Sequence, residues 1–307
     1  TALAGSLVAT SVAYAGALTA TGTADMKMTN NSYSAAGKTI AMGNSVTFAG
    51  SGETDSGLNV SISFELDQGA ADGTGPFDSH SVAVGNDALG TVTVHGHGGS
   101  NSASALDTTA AGDLWDSTLN ISAANDPEAA ASGNGLVVYS LPTVMDGLSL
   151  GVSYASAGEN DAGSTAYGGT YTGIDGLSLS FGKGSDNGTV NTDKDQTIMK
   201  ASYAYGSFTV GYSNNEFDHT SANSDQEVTS MNISYTMSDA VSVSYGEETI
   251  ERTGTSSDIE VSGVKASYTS GGMTVAAKSV EATNVDYSNT AVNNDNEMWQ
   301  VSLSFAF

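Results

Sequence analysis

The sequence predicts an all-β chain, a 16-stranded antiparallel transmembrane β-barrel, and three observations carry that prediction. Apolar residues recur at every second position in sixteen segments, the connections between segments mostly alternate in length, and no basic residue falls on the apolar parity away from a strand end. Composition agrees. With 39% hydrophobic and only 14% charged residues, the chain can bury apolar surface, unlike a disordered chain of low hydropathy and dense charge. Thirty-seven Gly among abundant Ser, Thr, Asn and Asp suit turns and strands rather than helices. No Cys is present, so packing and hydrogen bonding must stabilise the fold without disulfides.

The opening TALAGSLVATSVAYA reads as the apolar core of a truncated secretory signal ending in a small-x-small cleavage site, Ala13-Tyr14-Ala15. This predicts a signal peptide over 1–15 and a single barrel domain over 16–307. The remainder holds no run of about 18 apolar residues, so a membrane helix is excluded. It is either soluble outside the cytoplasm or a barrel.

Alternation runs at about 17–28, 38–49, 57–67, 79–86, 89–97, 134–142, 146–156 and 165–173 in the first half. The second half continues at 176–183, 196–206, 207–217, 226–237, 240–251, 258–269, 272–283 and 296–307. Clear examples are Leu58, Val60, Ile62, Phe64 and Leu66, and the final MWQVSLSFAF, where Trp299, Val301, Leu303, Phe305 and Phe307 share one face. Turns such as GIDG, YGSF and SGGM are short, and each is followed by a longer polar loop. That is the layout of an up-and-down barrel with short periplasmic turns and long outer loops. The segment GSGETDSG at 50–57 is an over-long turn in this scheme. A far longer connection, 98–133, carries Asp107, Asp113, Asp116, Asp126 and Glu128 and no Lys or Arg, and loops of this length are usually functional.

Basic residues test the barrel, because Lys or Arg facing lipid near the midplane costs about 2–4 kcal/mol. Lys27, Lys200, Lys265 and Lys278 all fall opposite in parity to their apolar neighbours and are expected to face the lumen. Lys38 and Lys183 share lipid parity but lie at strand ends, where their stems snorkel. Tyr, Trp and Phe sit in strands, mostly on lipid parity and near strand ends, as interfacial girdles require.

The residues Leu89-Gly90-Thr91-Val92-Thr93-Val94 with Gly96, then Tyr139-Ser140-Leu141-Pro142 with Asp146-Gly147-Leu148, and the terminal Phe307 resemble the sixteen-stranded Gram-negative outer-membrane general diffusion porins. The resemblance implies a homotrimer in outer-membrane lipid and lipopolysaccharide. It also implies a long third loop folded into the lumen, its carboxylates opposite a basic wall, and an aromatic C-terminus read by the outer-membrane assembly machinery. Where that family often has an Arg after the strand leading into this loop, the chain has His97.

His95 and His97 lie two apart, on the face of Thr91 and Thr93, and are expected to line the pore beside the loop. Two imidazoles make an incomplete metal site, so polar lining whose charge rises below about pH 6.5 is the favoured reading. The net charge of −26 repels nucleic acid. No cofactor is expected beyond divalent cations held loosely at acidic outer loops. No Gly-x-Ser-x-Gly elbow, phosphate loop, His-Glu-x-x-His or Cys nucleophile suggests an enzyme.

The expected function is passive diffusion of small hydrophilic solutes and ions, with cations preferred because loop acids face the pore. The alternatives are a substrate-selective channel, marked by an aromatic track or polar cluster, and a secreted acidic adhesin, which would need no detergent.

Overall fold

The computed structural model describes residues 14–15, 18–32, 37–67, 77–115, 119–121, 127–157, 163–186, 193–221, 223–287 and 295–307. In chain order the strands are β1 (Tyr14–Ala15), β2 (Thr19–Asn31), β3 (Thr39–Glu53), β4 (Asn59–Asp67), β5 (Phe77–Asn86), β6 (Gly90–His97), β7 (Leu136–Ser140), β8 (Leu148–Ala155) and β9 (Ser164–Ile174). They continue as β10 (Leu177–Asp186), β11 (Lys194–Tyr205), β12 (Phe208–His219), β13 (Gln226–Ser238), β14 (Val241–Arg252), β15 (Ile259–Ser270), β16 (Met273–Thr283) and β17 (Asn296–Ala306). From β2 onward each strand pairs antiparallel with the next, and β17 returns to β2 through pairs such as Leu303↔Met26, closing a barrel of sixteen strands.

Each of the sixteen alternating segments corresponds to one barrel strand. The exposed positions on the outer face are the apolar ones: Met42 is 63% exposed, Met231 54% and Val264 53%, a surface that only lipid or another protein can cover. A closed barrel is one of two ways to bury every backbone polar group in hydrocarbon, because no strand edge is left unpaired.

Closure is sealed at the chain end. Gly22 donates to the Phe307 carbonyl at 2.7 Å and accepts from the Phe307 amide at 3.0 Å. The Phe307 ring lies so close over Gly22 that a Cβ there would collide with it.

One expectation is revised. The stretch 50–57 is not an over-long turn, because β3 runs on to Glu53 in register with Asn59 and only Thr54–Gly57 turn. The Thr54 hydroxyl closes that turn, accepting from the Leu58 amide at 3.0 Å and donating to its carbonyl at 3.1 Å. The longer β3 also leaves Gly52 and Glu53 to pair with Ala15 and Tyr14, the residues the sequence assigns to the end of the leader.

The inner wall is built mostly of hydroxyls. Cross-strand pairs such as Thr23 with Ser45 at 3.0 Å, Thr170 with Ser180 at 2.9 Å and Ser242 with Ser267 at 2.8 Å satisfy one another along it. Toward the long-loop end the pattern changes. Val228, Ile250, Ile259, Val261, Val280 and Met298 point inward and are buried, forming an apolar core with Leu114, Leu119 and Ile121. These three belong to the long connection after β6.

Candidate functional site

That connection, 98–135, is the candidate site, and its own side chains fold it first. The Asn101 amide donates to the Ala130 carbonyl at 2.9 Å, and its oxygen accepts from the Ala103 and Ser104 amides at 2.9 Å each. This ties the outgoing limb to the returning one and starts the 3-10 turn Ser104–Leu106. Gly99 and Gly133 bridge at the base, and Ser132 donates to Glu128 at 2.9 Å.

The loop then lies against inward-facing side chains of the wall. Its amides at Ser102, Ala131, Ala110 and Ala111 donate to the hydroxyls of Ser153, Ser164, Ser213 and Ser230 at 2.8–3.0 Å. At its far reach the Asn296 amide donates to the Leu119 carbonyl at 2.7 Å. The loop therefore spans from β8 to β17 across the inner wall. Glycine makes room for it: a Cβ on Gly246 would strike Ala111, and one on Gly168 would strike the Ser102 carbonyl.

Three charged wall residues hold the middle of the loop. Lys200 donates to the Thr108 carbonyl at 2.7 Å, and Lys265 donates to the Ala111 and Gly112 carbonyls at 2.8 and 2.9 Å. Glu248, 1% exposed, accepts from the Leu114 amide at 2.8 Å, the Trp115 amide at 3.2 Å and the Thr109 hydroxyl. A buried carboxylate is tolerated only with such a set of donors.

The predicted lysines Lys27, Lys200, Lys265 and Lys278 all sit on inward parity: Lys27 between the exposed Met26 and Met28, Lys200 beside Met199, Lys265 beside Val264, and Lys278 in direct register with Lys265. Lys200 and Lys265 are engaged by the loop's backbone. Lys38 lies over the Trp299 ring at 5.6 Å, a rim contact compatible with snorkelling. His95 packs beneath Gly99, and the His97 ring meets the Asn134 carbonyl oxygen at 2.5 Å. Among the loop acids, Asp113 caps its own turn by accepting from the Thr109 amide at 2.9 Å. Asp107 is pushed up to about 6, chiefly by burial and then by the Glu128 and Asp113 carboxylates. Asp116 and Asp126 lie outside the described residues. Among the described residues no group of three or more His, Asp or Glu side chains is placed to hold a metal ion.

The adjacent Glu247 and Glu248 face opposite ways on β14, and Tyr245 donates to Glu247 at 2.6 Å on the outer face. Sequence reasoning missed Glu248 as the loop's anchor. The available signal was the parity change along β14, where apolar Val243 and Tyr245 give way to apolar Ile250 on the other face.

The chain matches the family model of Gram-negative porins over residues 1–258. No curated protein sequence matches it. Among solved structures it resembles the anion-selective porin from Comamonas acidovorans, with a TM-score of 0.70, 16% identity and coverage of 95% of this chain and 99% of that one. It resembles a mutant of Rh. blastica porin at 0.68 and 16%, over 95% and 100% of the two chains. The loop L8 deletion mutant of OmpT, an outer membrane protein of Vibrio cholerae, gives 0.71 and 14% over 95% and 99%. With a family match over most of its length and a closed barrel of sixteen strands, this chain belongs to the Gram-negative porin family and is a protein of the bacterial outer membrane.

Proposed function

We propose that the protein is a passive, cation-preferring diffusion pore for small hydrophilic solutes, without enzymatic activity or a resident cofactor. The observation that carries this reading is the loop 98–135, hydrogen-bonded across a hydroxyl-lined inner wall from Ser153 to Asn296. A sixteen-stranded barrel is too wide for its side chains to fill, so such a loop sets the bore.

Cation preference rests on charge placement. Asp107, Asp113 and Glu128 belong to the loop, Asp116 and Asp126 are further acids of the same segment, and two of the four lumen lysines are spent on loop carbonyls. Lys27, Lys278, His95 and His97 form the remaining pore wall. The outer rim adds carboxylates in register, Glu216↔Glu227↔Glu251, on which divalent cations would bridge to lipopolysaccharide.

A homotrimer is supported by an asymmetry of the outer face. Tyr or Trp occurs on most strands from β7 to β17, but β2–β6 carry neither and present Met42, Ile62 and Val84 instead. A wall whose aromatics are Phe48, Phe64 and Phe77, with no Tyr or Trp to meet the lipid headgroups, suits contact with protein rather than lipid. Cleavage after Ala15 and recognition of Phe307 by the assembly machinery complete the proposal.

The test is a planar bilayer holding the protein under a KCl gradient. Current steps in threes with a cation-selective reversal potential are expected. Anion selectivity would refute the charge assignment, and protein that stays soluble without detergent and never conducts would refute the pore.

A further inference from the structure

On the inner wall of β14–β17 lies a cavity of about 380 Å³. Lys265 and Lys278 line it from adjacent strands, directly opposite one another in register. Around them are the hydroxyls of Ser244, Ser267 and Ser302 and the amide of Gln300, and no carboxylate lines the cavity among the described residues. On the next strand Lys27 is the cross-strand partner of Ser302, so it lies on the same stretch of inner wall without lining the cavity. In a chain with eight Lys and Arg and a net charge of −26, two of the eight line this one cavity.

Like charges opposite one another in an antiparallel pair are mutually destabilising, and an anion seated between them reverses the sign of that interaction. Lys265 uses two of its three donors on the Ala111 and Gly112 carbonyls, which fixes its ammonium group against the loop and leaves one N–H for a ligand. Serine hydroxyls rotate to donate, so the surround completes a set of neutral donors beside two cations.

We propose that this cavity is a binding station for a small oxyanion, a phosphate or a carboxylate, where an anionic solute pauses on its way through the pore. The proposal rests on the pore reading above and deepens it. The loop's carboxylates set the preference for simple cations, while the lysine-lined wall gives oxyanions a separate, saturable foothold.

Single channels recorded at pH 7 in KCl, with sodium phosphate or sodium succinate added to one side and sodium chloride as the control, test it. Conductance is expected to fall with added oxyanion and to level off. Block by phosphate alone assigns a tetrahedral anion, and block by succinate alone assigns a carboxylate. Lys278→Gln should weaken the block at least about tenfold, as loss of one charge-assisted contact implies, while Lys278→Arg retains it. Variants are compared only after heat-modifiable migration shows that they fold. Conducting channels with no oxyanion block, or equal block in Lys278→Gln, overturn the station and leave the pore intact. Absence of channels overturns the pore instead.

Discussion

The carboxylate of Glu248 on β14 receives the amide of Leu114 at 2.8 Å, across 134 residues of sequence. One side chain thus satisfies the backbone where the loop turns along the barrel wall, and the loop's apolar residues close over it.

Replacing Glu248 by Ala leaves the Leu114 and Trp115 amides and the Thr109 hydroxyl without their acceptor. Each orphaned buried donor costs about 1–3 kcal/mol, so residues 109–115 should detach locally before the barrel unfolds. Hydrogen exchange of those amides is expected to rise at least tenfold, with β3–β6 unchanged. Uniform acceleration throughout the barrel would refute the local anchor.

Lys265→Met removes two hydrogen bonds to loop carbonyls, whereas Lys27→Met removes a charge on β2. The first is expected to raise open-channel noise as the loop loses its hold. The second is expected to increase cation selectivity with no change in noise. Bilayer recordings separate the two.

Acidification should weaken cation selectivity. Asp107, pushed up to about 6 by burial and by the neighbouring Glu128 and Asp113, is charged at pH 7 and mostly neutral at pH 5. The permeability ratio of K⁺ to Cl⁻ should fall over that interval, and Asp107→Asn should flatten the change. The same shift has a stability sign. The folded state holds this proton more tightly than the unfolded chain, so the contribution is full below the ordinary carboxylate range and is lost as pH rises through about 6.

Deleting Phe307 removes both hydrogen bonds to Gly22. Gly22→Val forces the aromatic ring off its seat. Both variants should lower the temperature at which the heat-modifiable band converts to the unfolded form. Equal conversion temperatures would show that closure does not depend on this contact.

Met42→Arg places a charge on the outer wall that lacks Tyr and Trp, and Met231→Arg places one on the wall that carries them. Cross-linking is expected to show loss of trimer for the first and retention for the second.

The strands were legible in the sequence because a β-strand alternates its side chains strictly. Trp299, Val301 and Phe305 announce one face of β17 with no knowledge of their neighbours. Lipid on the outside and water within act on every strand alike, so parity placed Lys27, Lys200, Lys265 and Lys278 inside without reference to the fold. What each lysine does was not legible. Lys200 and Lys265 meet the loop through backbone carbonyls, and a backbone carbonyl has no signature in composition or spacing. Glu248 was hidden for the same reason: its donors lie on a loop far away in the chain, brought to it only by closure of the barrel. The inward Ile250, Ile259 and Met298 break the simple rule of a wet lumen, because there the inner wall packs against the loop rather than water. Local alternation determined where the strands run and which way their side chains point, and the alternating lengths of the connections added that they form a barrel. The tertiary structure alone decided where the loop is held and which wall charges it engages, since those depend on contacts between residues far apart in the chain, 51 positions for Ser102 with Ser153 and 177 for Leu119 with Asn296.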